Sequence, residues 1–435
     1  MKSVVPFVPG RRAALGALAA GFGLACGVPA RAAPATASPI RLAMIEGMSG
    51  PLGNGGAAVE RNLRLAVETV NHAGGVRLPD GAHPFQLDVY DSQNGTARSL
   101  LLLRQALGER VPFILQGNSS AVASALAGAL ERHNARAPQA RALFLNYSAV
   151  DPALTETDCS PWHFRFDAHA GMRMAALAHV IASDAKARRV YLLNQDYSFG
   201  HQVAQLARSE IGRQAGRQIV GEDFIGLGKV QDFAPYIEKI RASGADTVIT
   251  GNWGNDLTLL VKTAREQGLP VRFYTFYANS LGAPAALGDA GVGRVLAVAE
   301  WHPNAEGAAS DAFVAAFRRR FPSPAEDYPM LRMHVMIGML KQAIEHAGGT
   351  DAAQVAHAFE GLSYDGPLAR FHPAQMRAGD HQLMQPLYVM EMARQGSPGV
   401  RYDVEGSGFG FATVWKQSET DVQRSTPMRC AMKHF

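Results

Sequence analysis

Residues 111–126 read Val-Pro-Phe-Ile-Leu-Gln-Gly-Asn-Ser-Ser-Ala-Val-Ala-Ser-Ala-Leu, and they predict a buried strand running straight into a helix. Phe113 to Leu115 is a short apolar run, and Gly117 allows an abrupt turn. Asn118, Ser119 and Ser120 are N-cap residues with amide or hydroxyl groups to spare. A helix start leaves backbone N–H donors unpaired and carries partial positive charge, so such a corner suits an anionic or carbonyl-bearing ligand. The same residues can do no more than cap the helix, and at this corner alone the two readings stand level. The balance shifts because similar corners recur along the chain and would converge on one crevice.

On the N-terminal side the periodicity predicts strands at 40–45 and 85–90 and helices at 57–72 and 96–107. Beyond the corner come a helix at 120–133, a strand at 142–145 and a break at 150–161. The alternation then restarts. Helices at 171–182, 200–213, 233–241 and 256–267 alternate with strands at 190–193, 219–224, 247–250 and 271–276. Such alternation implies parallel sheets built from right-handed crossovers, here an α/β chain of two doubly wound lobes. A strand at 294–299 precedes helices near 311–320, 328–346 and 351–360, and the segments 386–391 and 409–415 read as antiparallel strands. In open parallel sheets ligands bind outside the carboxyl ends of the strands, so two facing sheets would share one cleft that closes by a hinge.

The chain has 435 residues, 47% apolar and 18% charged, enough for two domains with their own cores. Its formal charge of +4 is misleading. Residues 1–33 hold Lys2, Arg11, Arg12, Arg31 and no acid; setting these four aside takes 42 basic residues down to 38, against 38 acidic. A neutral remainder argues against nucleic acid or an anionic membrane surface as partner.

Those 33 residues have the form of an export signal. Arg11-Arg12 precede an uncharged run from Ala13 to Val28 and the small-x-small site Ala30-Arg31-Ala32. The arginine pair resembles a twin-arginine signal, and a Sec signal fits as well; either places the protein in the periplasm. Leu24-Ala25-Cys26 offers a weaker lipoprotein box, which would anchor the chain through Cys26. Cleavage after Ala32 leaves Cys159 and Cys430. Two cysteines in an oxidising compartment suggest one disulfide, with two separate buried thiols as the other reading.

Enzyme readings fare poorly. Gly53-x-Gly55-x-x-Ala58 matches a dinucleotide fingerprint by letter but starts some eight residues after its strand, where an immediate turn is needed. Gly117-Asn-Ser-Ser-Ala lacks the second glycine of a nucleophile elbow. The 14 histidines are scattered, and no His/Glu pair has zinc spacing. No catalytic residue, metal or cofactor is expected.

An ordered series of short motifs carries a family resemblance. Met48-Ser-Gly-Pro-Leu-Gly, Val70-Asn-His-Ala-Gly-Gly-Val and Leu87-Asp-Val-Tyr-Asp-Ser-Gln come first. Ala149-Val-Asp-Pro-Ala-Leu-Thr, Asp196-Tyr-Ser-Phe-Gly, Gln231-Asp-Phe, Ala264-Arg-Glu-Gln-Gly-Leu and Gly366-Pro-Leu follow. Together they resemble the type I periplasmic binding proteins, and among them the leucine/isoleucine/valine-binding proteins of ABC transporters.

The resemblance implies two α/β lobes joined by three crossover segments, near Phe166, Asn279 and Leu362. The first lobe would then comprise 34–165 plus 279–361, and the second 166–278 plus 362–435. It places the ligand's carboxylate at Ser119 or Ser120 and at the loop Ser148, Ala149, Val150. It places aromatic wall positions at Tyr197, Phe199 and Trp253. Tyr277 falls where amino-acid binders carry a glutamate for the ammonium, and Gly55 falls where an aromatic often covers the ligand. A buried ammonium without a carboxylate is costly, so the expected ligand has a carboxylate or carbonyl and an apolar or aromatic body. An amino acid fits if Asp196 or Asp256 supplies the charge. The implied role is a monomeric solute-binding protein that hands a small molecule to an inner-membrane permease and its ATPase. The alternative is a ligand-sensing component of a signalling system with the same fold.

Overall fold

A computed structural model describes residues 38–50 and 53–432. The expected signal peptide at 1–33 and Cys26 lie outside the described residues. Five strands, β1 (Ile40–Glu46), β2 (Phe85–Asp91), β3 (Phe113–Gln116), β4 (Leu143–Asn146) and β5 (His163–Arg165), form an all-parallel sheet in the order β2-β1-β3-β4-β5. Phe113, Ile114 and Leu115 are fully buried, as expected of a central strand covered by helices on both faces. The helices are α1 (Gly53–His72), α2 (Thr96–Gly108) and α3 (Ser120–Arg136).

The second sheet has seven strands. These are β6 (Arg189–Gln195), β7 (Gln218–Ile225), β8 (Thr247–Thr250), β9 (Arg272–Thr275), β10 (Val295–Ala299), β11 (Leu387–Arg394) and β12 (Phe409–Gln417). Their order is β12-β11-β10-β9-β8-β6-β7, with β11 alone running antiparallel, to both β10 and β12. Helices α4 (Ala170–Ser183), α5 (Ser198–Gly212), α6 (Ala234–Ala242) and α7 (Asn255–Glu266) cover it. Two cores fill its faces, one around Leu192, Ile249 and Val389, the other around Leu193, Phe273 and Val261.

The chain passes between lobes three times, and two of these passages differ from expectation. The first lies at Asp167, since Phe166 packs in the first core and Ala168 in the second. The second lies at Glu300, since Ala299 belongs to a second-lobe core and Trp301 to the first. Asn279 lies instead within the connection from β9 to β10, which pair in one sheet. The third lies between Leu383 and Met384, while Leu362 still packs on the first core. The strand Val295–Ala299 is apolar on both faces, so its sequence does not say which sheet it joins; hydrogen bonding to β9 decides it.

Between the later passages α8 (Ala308–Arg320), α9 (Leu331–Ala347) and α10 (Ala352–Phe359) complete the first lobe, with α9 packed against α1 and α10. A last helix, α11 (Glu419–Ser425), buries Val422 in the second lobe. The tail beyond it returns to the first lobe, where Cys430 is bonded to Cys159 (S–S 2.06 Å), 271 residues away in sequence. Several short pieces escape the periodicity, among them β5, whose His-Phe-Arg sequence is two-thirds polar yet fully buried, and α11.

Candidate functional site

The chain that follows β4 in the first lobe meets the helix that follows β6 in the second, through Asp151 and Gln202. In the first lobe β3 turns at Gly117 because a side chain there would collide with the Tyr147 ring, 2.4 Å from where a Cβ would sit. Ser119 then caps α3, accepting from the Val122 N–H at 3.3 Å. Two backbone donors of the turn ahead of the helix are already taken. Gly117 N and Asn118 N donate to the Glu46 carboxylate at 3.3 and 3.0 Å, and the Tyr147 hydroxyl donates to the same oxygen at 2.5 Å. Glu46 is 2% exposed at the end of β1; desolvation raises its pKa, and Tyr147 and the backbone donors Asn118, Gly47 and Gly117 only partly offset this. The turn ahead of α3 is thus filled by one of the protein's own carboxylates, while the first turn of the helix keeps its serine cap.

The next loop is arranged differently. The Asn146 amide oxygen accepts from Ser148 N (3.1 Å) and Ala149 N (2.7 Å), which folds residues 146–149 into a tight turn. Ser148 Oγ accepts from Arg332 at 2.7 Å, and Ser120 Oγ accepts from Asp151 N at 3.3 Å. Each hydroxyl therefore keeps its own proton for donation. The Asp151 contact brings Ser120 to the Ser148–Val150 loop. Val150 is 2% exposed and packs in the second lobe's core, so it bridges the lobes as an apolar contact.

In the second lobe the half-buried Tyr197, Trp253 and Tyr277 gather around the buried Phe199. Phe199 lies 6.1 Å from the Tyr197 ring and 5.6 Å from that of Tyr277, centroid to centroid. Trp253 Nε1 donates to the Tyr197 hydroxyl at 3.0 Å. Burial pushes the Tyr197 pKa up to about 12, against the Trp253 donation, so Tyr197 is a neutral phenol. Phe199 itself, at 5% exposure, supports the wall from behind as core. Asp196 pairs with His201 on the surface, and Asp256 accepts from Gln195 and Gly228 N.

The two sides touch. Gln202 on α5 donates to Asp151 Oδ1 at 2.7 Å, and Ala170 N donates to the Val150 carbonyl at 2.9 Å. On the other flank the loop between β11 and β12 reaches the first lobe, where Arg318 donates to the Asp403 carbonyl and Asn304 to that of Tyr402.

At the base of the crevice lies a buried group of four charges that the sequence reading did not identify. Arg332, in the first turn of α9, donates from Nη1 to Glu300 (2.6 Å) and from Nε to the Tyr147 carbonyl (2.7 Å), with Asp167 at 3.6 Å. Arg173, on α4, binds Asp167 at 2.6 Å and stands 4.0 Å from Glu300. Asp167 and Glu300 thus sit on the first two passages between lobes, with one arginine from each lobe between them. Desolvation works against an ionised Glu300, but Arg332 and Arg173 outweigh it and lower its pKa. At Asp167 desolvation wins and the pKa rises. The Tyr277 hydroxyl feels Arg173, Asp167 and Arg332, so it joins the aromatic wall to this group; burial raises its pKa.

A small cavity of about 40 Å³ lies at the boundary, lined by Asn279, Glu300, His302, Tyr328, Arg332 and Phe411 among others. None of the nine site residues expected from sequence lines it. The signal that could have found the four charges is their setting. Arg173 lies in Gly-Met-Arg-Met-Ala, Arg332 in Met-Leu-Arg-Met, and Glu300 ends an apolar strand; lone charges in apolar stretches need buried partners.

Comparison with known proteins places these features in a family. A family model described as periplasmic binding protein matches residues 39–397. A Brucella melitensis protein, Leu/Ile/Val-binding protein homolog 4, is 31% identical over 94% of this chain and 97% of its own length. The crystal structure of a leucine-, isoleucine-, valine-, threonine- and alanine-binding protein from Brucella ovis, in a closed conformation, superposes with a TM-score of 0.81 at 28% identity, covering 91% of this chain and 99% of that one. A solute-binding protein of an ABC transporter from R. palustris, in complex with 4-hydroxybenzoate, shares the fold with a TM-score of 0.72 at 20% identity over 88% and 97% of the two chains.

Proposed function

The chain belongs to the periplasmic binding protein family, in its leucine/isoleucine/valine-binding branch, and from that premise we propose that it captures a small molecule between its lobes for an ABC importer. Members of this family are solute-binding proteins rather than enzymes. We infer that the ligand carries a carboxylate or carbonyl oxygen, received by Ser120 and the Ser148–Val150 loop, and an apolar or aromatic body, held against Tyr197, Trp253 and Tyr277. The relatives' ligands bracket this choice, since one is named for aliphatic amino acids and another holds 4-hydroxybenzoate.

The observation that carries the reading is the direct contact between the serine-bearing loop and the aromatic-bearing helix, from Gln202 to Asp151. Ligand binding there stabilises the closed arrangement at the expense of the open one, with no chemical step. No helix among the described residues is long and apolar enough to cross a membrane, which fits delivery to a separate permease. The test is a thermal-shift screen of branched-chain and aromatic amino acids, aromatic acids and small amides. A true ligand at 100 times its Kd adds about 2.7 kcal/mol of stability. A screen in which no carboxylate or carbonyl compound raises the melting point would refute the assignment.

A further inference from the structure

Resting on that reading of the Ser148 loop, we propose that Arg332 is the residue that sets the crevice's preference for an anionic oxygen: it fixes Ser148 as a hydrogen-bond donor and turns a positive charge toward the ligand.

The geometry is specific to this guanidinium. Its three nitrogens go to three different places: Nη1 to Glu300, Nε to the Tyr147 carbonyl and Nη2 to Ser148 Oγ at 2.7 Å. A guanidinium only donates, so Ser148 Oγ accepts from it. Among the described residues the Ser148 hydroxyl donates to none, which leaves its proton for an acceptor in the crevice. A ligand ammonium would have only the oxygen's other lone pair, beside the arginine's like charge.

The charges agree with the hydrogen bonds. Asp167 and Glu300 balance Arg173 and Arg332, so the four are neutral as a set. They are not symmetric. Arg173 is enclosed by Asp167 and the carbonyls of Ala168 and Val298, all near the passages between lobes. Arg332 has Glu300 at Nη1 and Asp167 3.6 Å from Nε, whereas Nη2 meets only uncharged atoms, Ser148 Oγ and Met330 Sδ. With the arginine side chain 13% exposed, the Ser148 side of the group presents positive charge in a poorly solvated place, where it acts more strongly than on the surface.

The experiment compares acids with their primary amides by thermal shift and calorimetry, using leucine with leucinamide and 4-hydroxybenzoate with 4-hydroxybenzamide. The wild type should favour the acid of the binding pair by about tenfold or more, the range of a charge-assisted bond. Arg332→Met should bring acid and amide close to equal, and Arg332→Lys should recover part of the preference. Glu300→Gln should move it the other way, since it removes a negative charge that offsets Arg332. Both variants disturb the same buried group, so general damage would shift both alike; opposite signs come only from the proposed role. Should Arg332→Met not fold, the wild-type ratio and Glu300→Gln still decide. Equal affinity for acid and amide in the wild type, or a shift of both variants in one direction, overturns the proposal while leaving the crevice reading intact. Failure of every pair to bind overturns both.

Discussion

The two strand-to-helix corners at Gln116–Ser120 and Gln195–Phe199 follow the same backbone plan and present opposite surfaces. At the first, the backbone donors close on Glu46 and the serine that follows caps its helix. At the second, Gln195 braces the neighbouring loop through the Trp253 carbonyl and Asp256, and aromatic rings face the boundary. The difference teaches that the turn leading into a helix can be filled from within by a buried carboxylate, which leaves fewer donors there for a ligand. The proposed recognition therefore rests on Ser120 and Ser148, whose hydroxyls accept from Asp151 N and Arg332 and keep their protons.

The largest test of this contrast between lobes uses acid. Burial lowers the pKa of His163, His334 and His372 in the first lobe to about 3, about 3 and about 4. In the second lobe His169 is lowered in the same way and caps α4 as a neutral acceptor. Folded values below the unfolded value of 6.5 mean that this stability is complete above pH 6.5 and is lost as pH falls toward 3–4. Each such histidine costs about 1.4 kcal/mol per pH unit in that window. Hydrogen exchange at pH 7 and pH 5 should therefore show first-lobe amides losing protection earlier; equal loss in both lobes would break the comparison.

Next in size is the bond that joins the lobes behind the crevice. Replacing Cys159 and Cys430 together by serine should lower stability by ~3–5 kcal/mol, since the bridge closes a very long loop. Denaturant unfolding measures it, and a loss below about 1 kcal/mol would show that the unfolded chain gains little freedom. Smaller again, Tyr147→Phe removes one donor from the Glu46 carboxylate and should cost about 1.5–3 kcal/mol, the range for hydrogen bonds to charged groups. An unchanged melting point would mean that the first corner is not held by its internal anion. Smallest in the unliganded protein is Trp253→Ala, because the ring is half-buried. It should change unliganded stability by less than about 1 kcal/mol while abolishing the ligand-induced shift. A large loss without ligand would make Trp253 a core residue.

The chain's alternating periods made the helix-sheet-helix layering of the lobes legible, and the first corner could be read down to its cap. What stayed hidden required knowing neighbours distant in sequence. The strand Val295–Ala299 is equally suited to either sheet, so the second passage could not be placed at Glu300. Nothing around Gly117 announces that Glu46, 71 residues earlier, will fill the turn. The aromatic positions were legible as residues, but the division between Phe199 as support and Tyr197, Trp253 and Tyr277 as surface comes from packing. Arg332 and Glu300 were visible as lone charges in apolar stretches, yet only the fold says that they meet.

The most direct measurement is a crystal structure with a ligand taken from the screen. We expect its carboxylate or carbonyl oxygen within hydrogen-bonding distance of Ser148 Oγ and its body against Trp253 and Tyr277, touching both lobes at once. A ligand seated on one lobe alone, or bound away from the Ser148 loop, would contradict the account.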